Sequence, residues 1–311
     1  MAKAKWTHKH LLDLQTVSRD DIALILDTAR SFREVSERDV KKVPALRGKT
    51  VALLFAEPST RTRLSFELAA KRLSADTLTI QGASSSLTKG ETILDTALNI
   101  QAMNVDLVVV RHQASGVPQI LARGTNMAVV NAGDGWRSHP TQALLDMFTM
   151  REKLGKLEGI KVAIVGDIMH SRVARSNITG LAKMGAQVTV CGPQTLLPVG
   201  IEAMGVEATT DIDRALKGAD VVMALRMQKE RMQDSYLPSM AEYVKGFCIT
   251  PERLKKARPG ALVMHPGPTN RGVEIEAEVA DGAQSVILEQ VTNGIAVRMA
   301  VLYLLLGRKT E

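Results

Sequence analysis

Between a run of apolar residues, Thr50 to Ala56, and a helical pattern, Arg61 to Leu73, the chain places Glu57-Pro58-Ser59-Thr60-Arg61-Thr62-Arg63-Leu64-Ser65-Phe66-Glu67. A junction where a buried strand ends and a helix begins is where α/β folds bind ligands. Ser59 or Thr60 can cap the helix, whose first N–H groups favour an anion. Arg61 adds a planar, permanently charged fork suited to phosphate oxygens. These residues read as a phosphate cradle built without glycines; the plain alternative is an N-cap followed by a solvated arginine face.

Other residues invite weaker readings on their own. His139 precedes Pro140 and opens a helical pattern after the Gly133-Asp134-Gly135 turn; a lone histidine in such a place is usually structural. Arg172 follows the apolar run Lys161 to Val165 through Gly166-Asp167-Ile168-Met169-His170-Ser171, and by itself is equally well a surface helix arginine. The stretch Gly82 to Glu91 is rich in Gly and Ser, the composition of a mobile linker, and carries Ser86 and Lys89. His112, His170 and His265 read as structural, and Met223, Met227 and Met232 as packing residues. The six histidines and the scattered acids show no HExxH or paired metal spacing, so no metal is expected. Lys161 to Asp167 begins like a dinucleotide-binding strand, but no GxGxxG follows, and no cofactor is expected.

The elements that must position these residues alternate. Ser18 with Asp21 gives a capping-box start to a helix through Arg33. Phe66, Ala69, Ala70 and Leu73 recur at i, i+3, i+4, i+7 and give the helix from Arg61 one buried face. Strands are expected at Thr50–Ala56, Thr77–Ile80, Val105–Val110 and Met127–Asn131, with a helix Glu91–Met103 among them. The second half expects strands at Lys161–Val165, Gln187–Cys191, Asp220–Leu225 and Ala261–Met264, and helices at Arg172–Met184 and Asp211–Lys217. Alternation of this kind implies an α/β fold with two parallel sheets, each covered by helices. Thr141–Leu157 reads as the bridge between them, and the long final helix, Ser285–Leu306, as returning to the first domain. The expected division is residues 1–140 plus about 290–311, and residues 141–289.

The 311 residues include 40 Lys+Arg against 33 Asp+Glu, a net charge of +7 that fits nucleic acid or small anions alike. With 45% hydrophobic and 23% charged residues, wholesale disorder is excluded, and 3% aromatic content argues against base-stacking platforms. Cys191 and Cys248 lie far apart with no metal spacing. No secretory signal is read in Met1 to His10. The apolar stretch Ile295 to Leu306 is broken by Arg298 and is too short to span a bilayer, so a cytoplasmic protein is expected.

Three segments in order, Ser59 to Glu67 with its flanks, Val109-Val110-Arg111-His112, and His139-Pro140-Thr141-Gln142-Ala143-Leu144-Leu145-Asp146, resemble the motifs of the transcarbamoylases and cover nearly the whole first half. In the second half, Arg226-Met227-Gln228-Lys229-Glu230-Arg231 and His265-Pro266-Gly267-Pro268-Thr269-Asn270-Arg271-Gly272-Val273-Glu274-Ile275 are similar to loops of the aspartate branch. The His-Cys-Leu-Pro and Ser-Met-Gly signatures of the ornithine branch are not found. The physics agrees: aspartate brings two carboxylates, and Arg172 and Arg226 each offer a bidentate partner. An ornithine site would want an acidic group for the side-chain ammonium.

The resemblance implies transfer of a carbamoyl group from carbamoyl phosphate to L-aspartate, an early step toward pyrimidines. It assigns Ser59, Thr60, Arg61 and Thr62 to the phosphate, and Thr62, Arg111 and His139 to the carbamoyl oxygen. Gln142 goes to the carbamoyl nitrogen side, and Arg172, Arg226 and Gln228 to aspartate. The turn Pro266-Gly267-Pro268 provides backbone contacts near the amino groups. Lys89 and Ser86 would reach in from a neighbouring subunit, which implies a homotrimer with shared sites. Association into a dodecamer with regulatory or dihydroorotase chains stays open, as do a different amine substrate and, more distantly, a non-enzymatic anion-binding or nucleic-acid-binding role. Neither nucleic acid nor membrane is an expected partner.

Overall fold

The computed structural model describes residues 5–81, 90–228 and 239–307. The chain divides into two compact units, residues 1–145 with 292–311, and residues 146–291.

In the first unit α1 (Arg19–Glu37) leads to β1 (Thr50–Phe55), α2 (Thr60–Arg72), β2 (Asp76–Gln81), α3 (Ile93–Ala102), β3 (Leu107–His112), α4 (Val117–Gly124) and β4 (Ala128–Asp134). The four strands are all parallel in the order β2-β1-β3-β4. Parallel strands covered on both faces must be apolar nearly throughout, and Val51, Ala52, Leu53 and Leu54 on β1 and Leu107 to Val110 on β3 are fully buried. α1 opens with a true capping box: the Asp21 amide donates to Ser18 Oγ (3.1 Å) and the Ser18 amide donates to Asp21 Oδ2 (2.8 Å). The face of α2 formed by Phe66, Ala69, Ala70 and Leu73 is buried.

α5 (Pro140–Leu154) runs from the first unit into the second. There β5 (Lys161–Val165), α6 (Arg172–Lys183), β6 (Gln187–Cys191), β7 (Glu207–Thr209), α7 (Ile212–Leu216) and β8 (Val221–Ala224) follow. Next come α8 (Met240–Phe247), α9 (Pro251–Leu254), β9 (Leu262–Met264) and α10 (Ala277–Ala280). This sheet is also parallel, in the order β7-β6-β5-β8-β9. Its core sets Ala163 and Val165 against Val222, Ala224, Val263 and Ile249.

α11 (Ile287–Leu306) ends the described chain and reaches the first unit. Its Tyr303 ring meets Phe32 of α1 edge-on at 5.6 Å. Its Arg298, 4% exposed, lies 5.1 Å over the Phe66 ring of α2 and donates to Ser65 Oγ (2.9 Å). The arginine that breaks the apolar run is therefore a partnered core residue. No helix among the described residues is long and apolar enough to cross a membrane.

The expected strands and helices recur with shifted ends: β4 runs on to Asp134, and α1 to Glu37. Four short helices, α4, α8, α9 and α10, none longer than eight residues, and the three-residue β7 are not among the expected elements, although Gly116 and Pro118 mark the start of α4.

Candidate active site

In each sheet the strand order reverses at one place, between β1 and β3 in the first and between β5 and β8 in the second. A crevice opens beyond the carboxyl ends of such a pair, because the following connections leave to opposite sides. Ser59, Thr60, Arg61, Thr62 and Arg111 stand at the first of these places and Arg172, Arg226 and Gln228 at the second, whereas His139 and Gln142 follow β4, and Gly267 and Pro268 follow β9.

In the first unit β1 hands over to Glu57 and α2, and Phe55 stands in register with Arg111 of β3. Ser59 is the N-cap residue of α2, extended at φ −161° and ψ 92°, but its side chain makes no capping hydrogen bond. The expected capping by a hydroxyl is thus corrected: the backbone turns without it, so the first N–H groups of α2 are not taken up by Ser59. Thr60 and Arg61 are exposed at this helix start, and Thr62 is buried. Arg63 pairs with Glu67 one turn on (3.3 Å), away from the role expected for Arg61.

Arg111 sits at a break in register between β3 and β4, a device that re-aims a side chain at a strand end. Its guanidinium donates to Glu57 Oε1 (2.7 Å) and to the Ala132 carbonyl (3.4 Å). His112 Nδ1 accepts from the Ala114 amide (2.9 Å), and burial pushes its pKa below the usual histidine value, so the ring is neutral near pH 7. That agrees with a structural role.

His139 is buried just ahead of α5, and its carbonyl accepts from the Gln142 amide (3.0 Å); Gln142 is buried as well. The loop delivering His139 is held from below by residues not singled out in the sequence. Asn131 Nδ2 donates to Asp134 Oδ1 (2.8 Å), and Asp134 Oδ2 accepts from the Gly116 amide (2.8 Å). The signal was present: Asn131 and Asp134 are polar residues in an otherwise apolar strand, and both are fully buried. Gly135 has φ +43°, and a Cβ there would stand 2.3 Å from Ser115 Oγ, so glycine is required for this turn.

In the second unit Gly166 follows β5, and a Cβ on it would lie 3.0 Å from the Leu225 carbonyl at φ +131°. Its absence lets the β5 and β8 ends approach. Asp167, fully buried, accepts from the His170 amide (3.1 Å) and His170 Nδ1 (2.9 Å), and its other oxygen accepts from the Gln228 amide (3.4 Å). One carboxylate thus ties the turn before α6 to the segment after β8. Arg172 opens α6 behind the N-cap Ser171, whose hydroxyl accepts from the Ala174 amide (3.1 Å). Arg172 is 4% exposed, which excludes the surface-arginine reading. Arg226 is half-buried just past β8, and Gln228 Nε2 donates to its carbonyl (3.4 Å).

The turn at Gly267 and Pro268 follows β9, and the Gly267 amide donates to His265 Nδ1 (2.8 Å). Met223 and Met227 are buried, as expected of packing residues. Ser86, Lys89, Lys229, Glu230, Arg231 and Met232 lie outside the described residues. Among the described residues no group of three His, Cys, Asp or Glu could hold a metal ion.

Each unit therefore supplies guanidinium groups at its own switch point. The first adds helix N–H groups and a buried histidine, a set matched to an anion with a polarisable oxygen. The second offers two forks for carboxylates.

Comparison with known proteins bears on both halves. Residues 9–152 match the family model described as aspartate/ornithine carbamoyltransferase, carbamoyl-P binding domain, and residues 158–305 match the Asp/Orn binding domain of the same family. The chain belongs to the aspartate/ornithine carbamoyltransferase family. An aspartate carbamoyltransferase catalytic subunit from Carboxydothermus hydrogenoformans is 59% identical over 300 residues, 96% of either chain. Among solved structures, an ornithine carbamoyltransferase from Pyrococcus furiosus superposes with TM-score 0.87 at 32% identity, covering 99% of this chain and 100% of that one. An aspartate transcarbamoylase from Trypanosoma cruzi, in complex with N-(phosphonacetyl)-L-aspartic acid, gives TM-score 0.88 at 29% identity and covers 98% of each. The carbamoyltransferase fold is shared by both branches, so the branch is decided by sequence and site chemistry and not by backbone shape.

Proposed function

We propose that this chain is the catalytic chain of an aspartate carbamoyltransferase, converting carbamoyl phosphate and L-aspartate to N-carbamoyl-L-aspartate and phosphate. The observation that carries the reading is the pair Arg172 and Arg226 at the β5/β8 switch point, two guanidinium forks for the two carboxylates of aspartate. It is supported by the curated relatives of 55% to 59% identity named as aspartate carbamoyltransferase catalytic subunits.

In this reading Ser59, Thr60, Arg61 and Thr62 hold the phosphate at the start of α2. Thr62, Arg111 and His139 hydrogen-bond the carbamoyl oxygen, and Gln142 meets the carbamoyl nitrogen. The aspartate amine attacks the carbamoyl carbon, charge builds on the carbamoyl oxygen, the carbon–oxygen bond breaks with its electron pair going to phosphate, and the proton of the amine nitrogen passes to the departing phosphate. The work is positioning and preorganised charge. Arg61 stabilises charge on the departing phosphate. Arg172, Arg226 and Gln228 orient aspartate, and the Pro266, Gly267 and Pro268 turn presents backbone groups to its amine.

The same reading takes the functional unit as a cytoplasmic homotrimer, with Lys89, and Ser86 beside it, completing a neighbour's site. Pyrimidine synthesis is the process such a product serves. Arg226→Ala tests the assignment: KM for aspartate rises at least about tenfold while KM for carbamoyl phosphate stays within about twofold. Equal changes in both would remove Arg226 from aspartate binding.

A further inference from the structure

Behind the Pro266–Pro268 turn a line of buried polar side chains runs through the second unit. Asn177 Nδ2 of α6 donates to Asp146 Oδ2 of α5 (2.8 Å), and Gln290 Nε2 of α11 donates to Asp146 Oδ1 (2.8 Å). Gln290 Oε1 in turn accepts from the His265 amide (3.0 Å). His265 Nε2 meets Glu274 Oε1 (3.0 Å), which also accepts from the Asn270 amide (2.6 Å). All five side chains are at most 2% exposed.

The geometry dictates the protonation of the ring. The Gly267 amide points its hydrogen at His265 Nδ1 from 2.8 Å, so Nδ1 carries no proton and accepts. The one ring proton therefore sits on Nε2 and is donated to the Glu274 carboxylate. A ring protonated on both nitrogens, or on Nδ1 alone, would set two hydrogens against each other at Gly267. Removing the carboxylate would take away the partner that selects the tautomer.

We propose that His265, clamped in its Nε2–H tautomer by Glu274, is a positioning residue that fixes the Pro266–Pro268 turn through the Gly267 amide, with Gln290 and Asp146 anchoring it to α6. The catalytic consequence rests on the functional reading above, in which that turn presents backbone groups to the aspartate amine. His265 touches no reacting atom. It sets where the carbonyls of its neighbours stand relative to Arg172, which opens the helix at the far end of the same polar line.

Two kinds of measurement test this. Nitrogen-15 spectroscopy of ring-labelled protein reads the tautomer without reference to turnover; an unprotonated Nδ1 and protonated Nε2 at His265 are expected. A ring with its proton on Nδ1, or on both nitrogens near neutral pH, overturns the clamp. In kinetics, His265→Gln, whose amide reaches Glu274 but leaves the Gly267 amide without an acceptor, should raise KM for aspartate about tenfold and leave KM for carbamoyl phosphate within about twofold. His265→Asn, whose Oδ1 stands near the lost Nδ1, should recover most of that change. Loss of both substrates' binding in parallel, or equal behaviour of the two variants, means a merely structural histidine and overturns the proposal. If the parent protein carbamoylates no aspartate yet shows the Nε2–H ring, the clamp stands and the functional reading is what fails.

Discussion

Two arginines beside neighbouring strand ends in the first unit differ in burial. Arg111 is 12% exposed in its side chain and bound to Glu57 at 2.7 Å, whereas Arg61 is exposed at the start of α2. Arg61→Ala lowers kcat by about a hundredfold to a thousandfold. A kcat within a few-fold of the parent would end its assignment to the leaving phosphate. Arg111→Ala costs both activity and stability, the latter by about 1–3 kcal/mol, because it takes the partner from a half-buried carboxylate. The thiols make a third residue-scale case. Burial pushes Cys191 up to about 12 and Cys248 up to about 11, and both are buried and free. A thiolate-selective reagent at neutral pH should label neither until the chain unfolds; prompt labelling of the native protein would contradict the packing around β6 and α8.

At the scale of elements, the capping box of α1 is a local device with a local cost. Ser18→Ala should lower unfolding stability by about 1 kcal/mol, read from the denaturation midpoint. Acid acts on elements through two kinds of group. His10 and His112 are pushed below the usual histidine value, chiefly by burial. The unfolded chain then binds more protons than the folded one, so stability falls as pH drops from about 7 to 5. Burial acts to raise Asp21, but its hydrogen bonds from Ser18 and His8 outweigh it and hold the carboxyl low, so the Asp21 contribution is lost only lower, in the carboxylate range. His112→Gln should flatten the upper part of that decline; an unchanged slope would show that His112 does not titrate against folding. Here the sequence was most informative. The strands are apolar, the helices periodic and the capping box spelled out, so every described strand but β7 could be read. What could not be read arises from contacts between distant segments: the reversal of strand order that makes the switch points, the Glu57–Arg111 bridge, and Asp167 joining two strand ends. Ser59 is the opposite case, since a good capping residue type sits at the N-cap and does not cap.

For the whole molecule, the functional reading makes the site a property of an assembly. At an aspartate concentration too low to saturate either variant, Lys89→Ala and Arg226→Ala chains, dissociated and reassociated together, should exceed the activity of either alone, since some sites would draw an intact residue from each chain. Mixed assemblies no more active than either variant would show that sites are not shared. The net charge of +7 suits two anionic substrates, although salt near physiological strength screens it beyond about 8 Å, so the local arginines matter more than the total. The central claim is the choice of amine, since the fold is common to relatives that act on aspartate and on ornithine by name. The most direct measurement supplies purified protein with carbamoyl phosphate and, in parallel, L-aspartate or L-ornithine, and detects the carbamoylated amino acid itself. Carbamoyl aspartate with no citrulline is the predicted result. Citrulline alone would keep the fold and the first unit's phosphate site, and would contradict the roles given to Arg172 and Arg226.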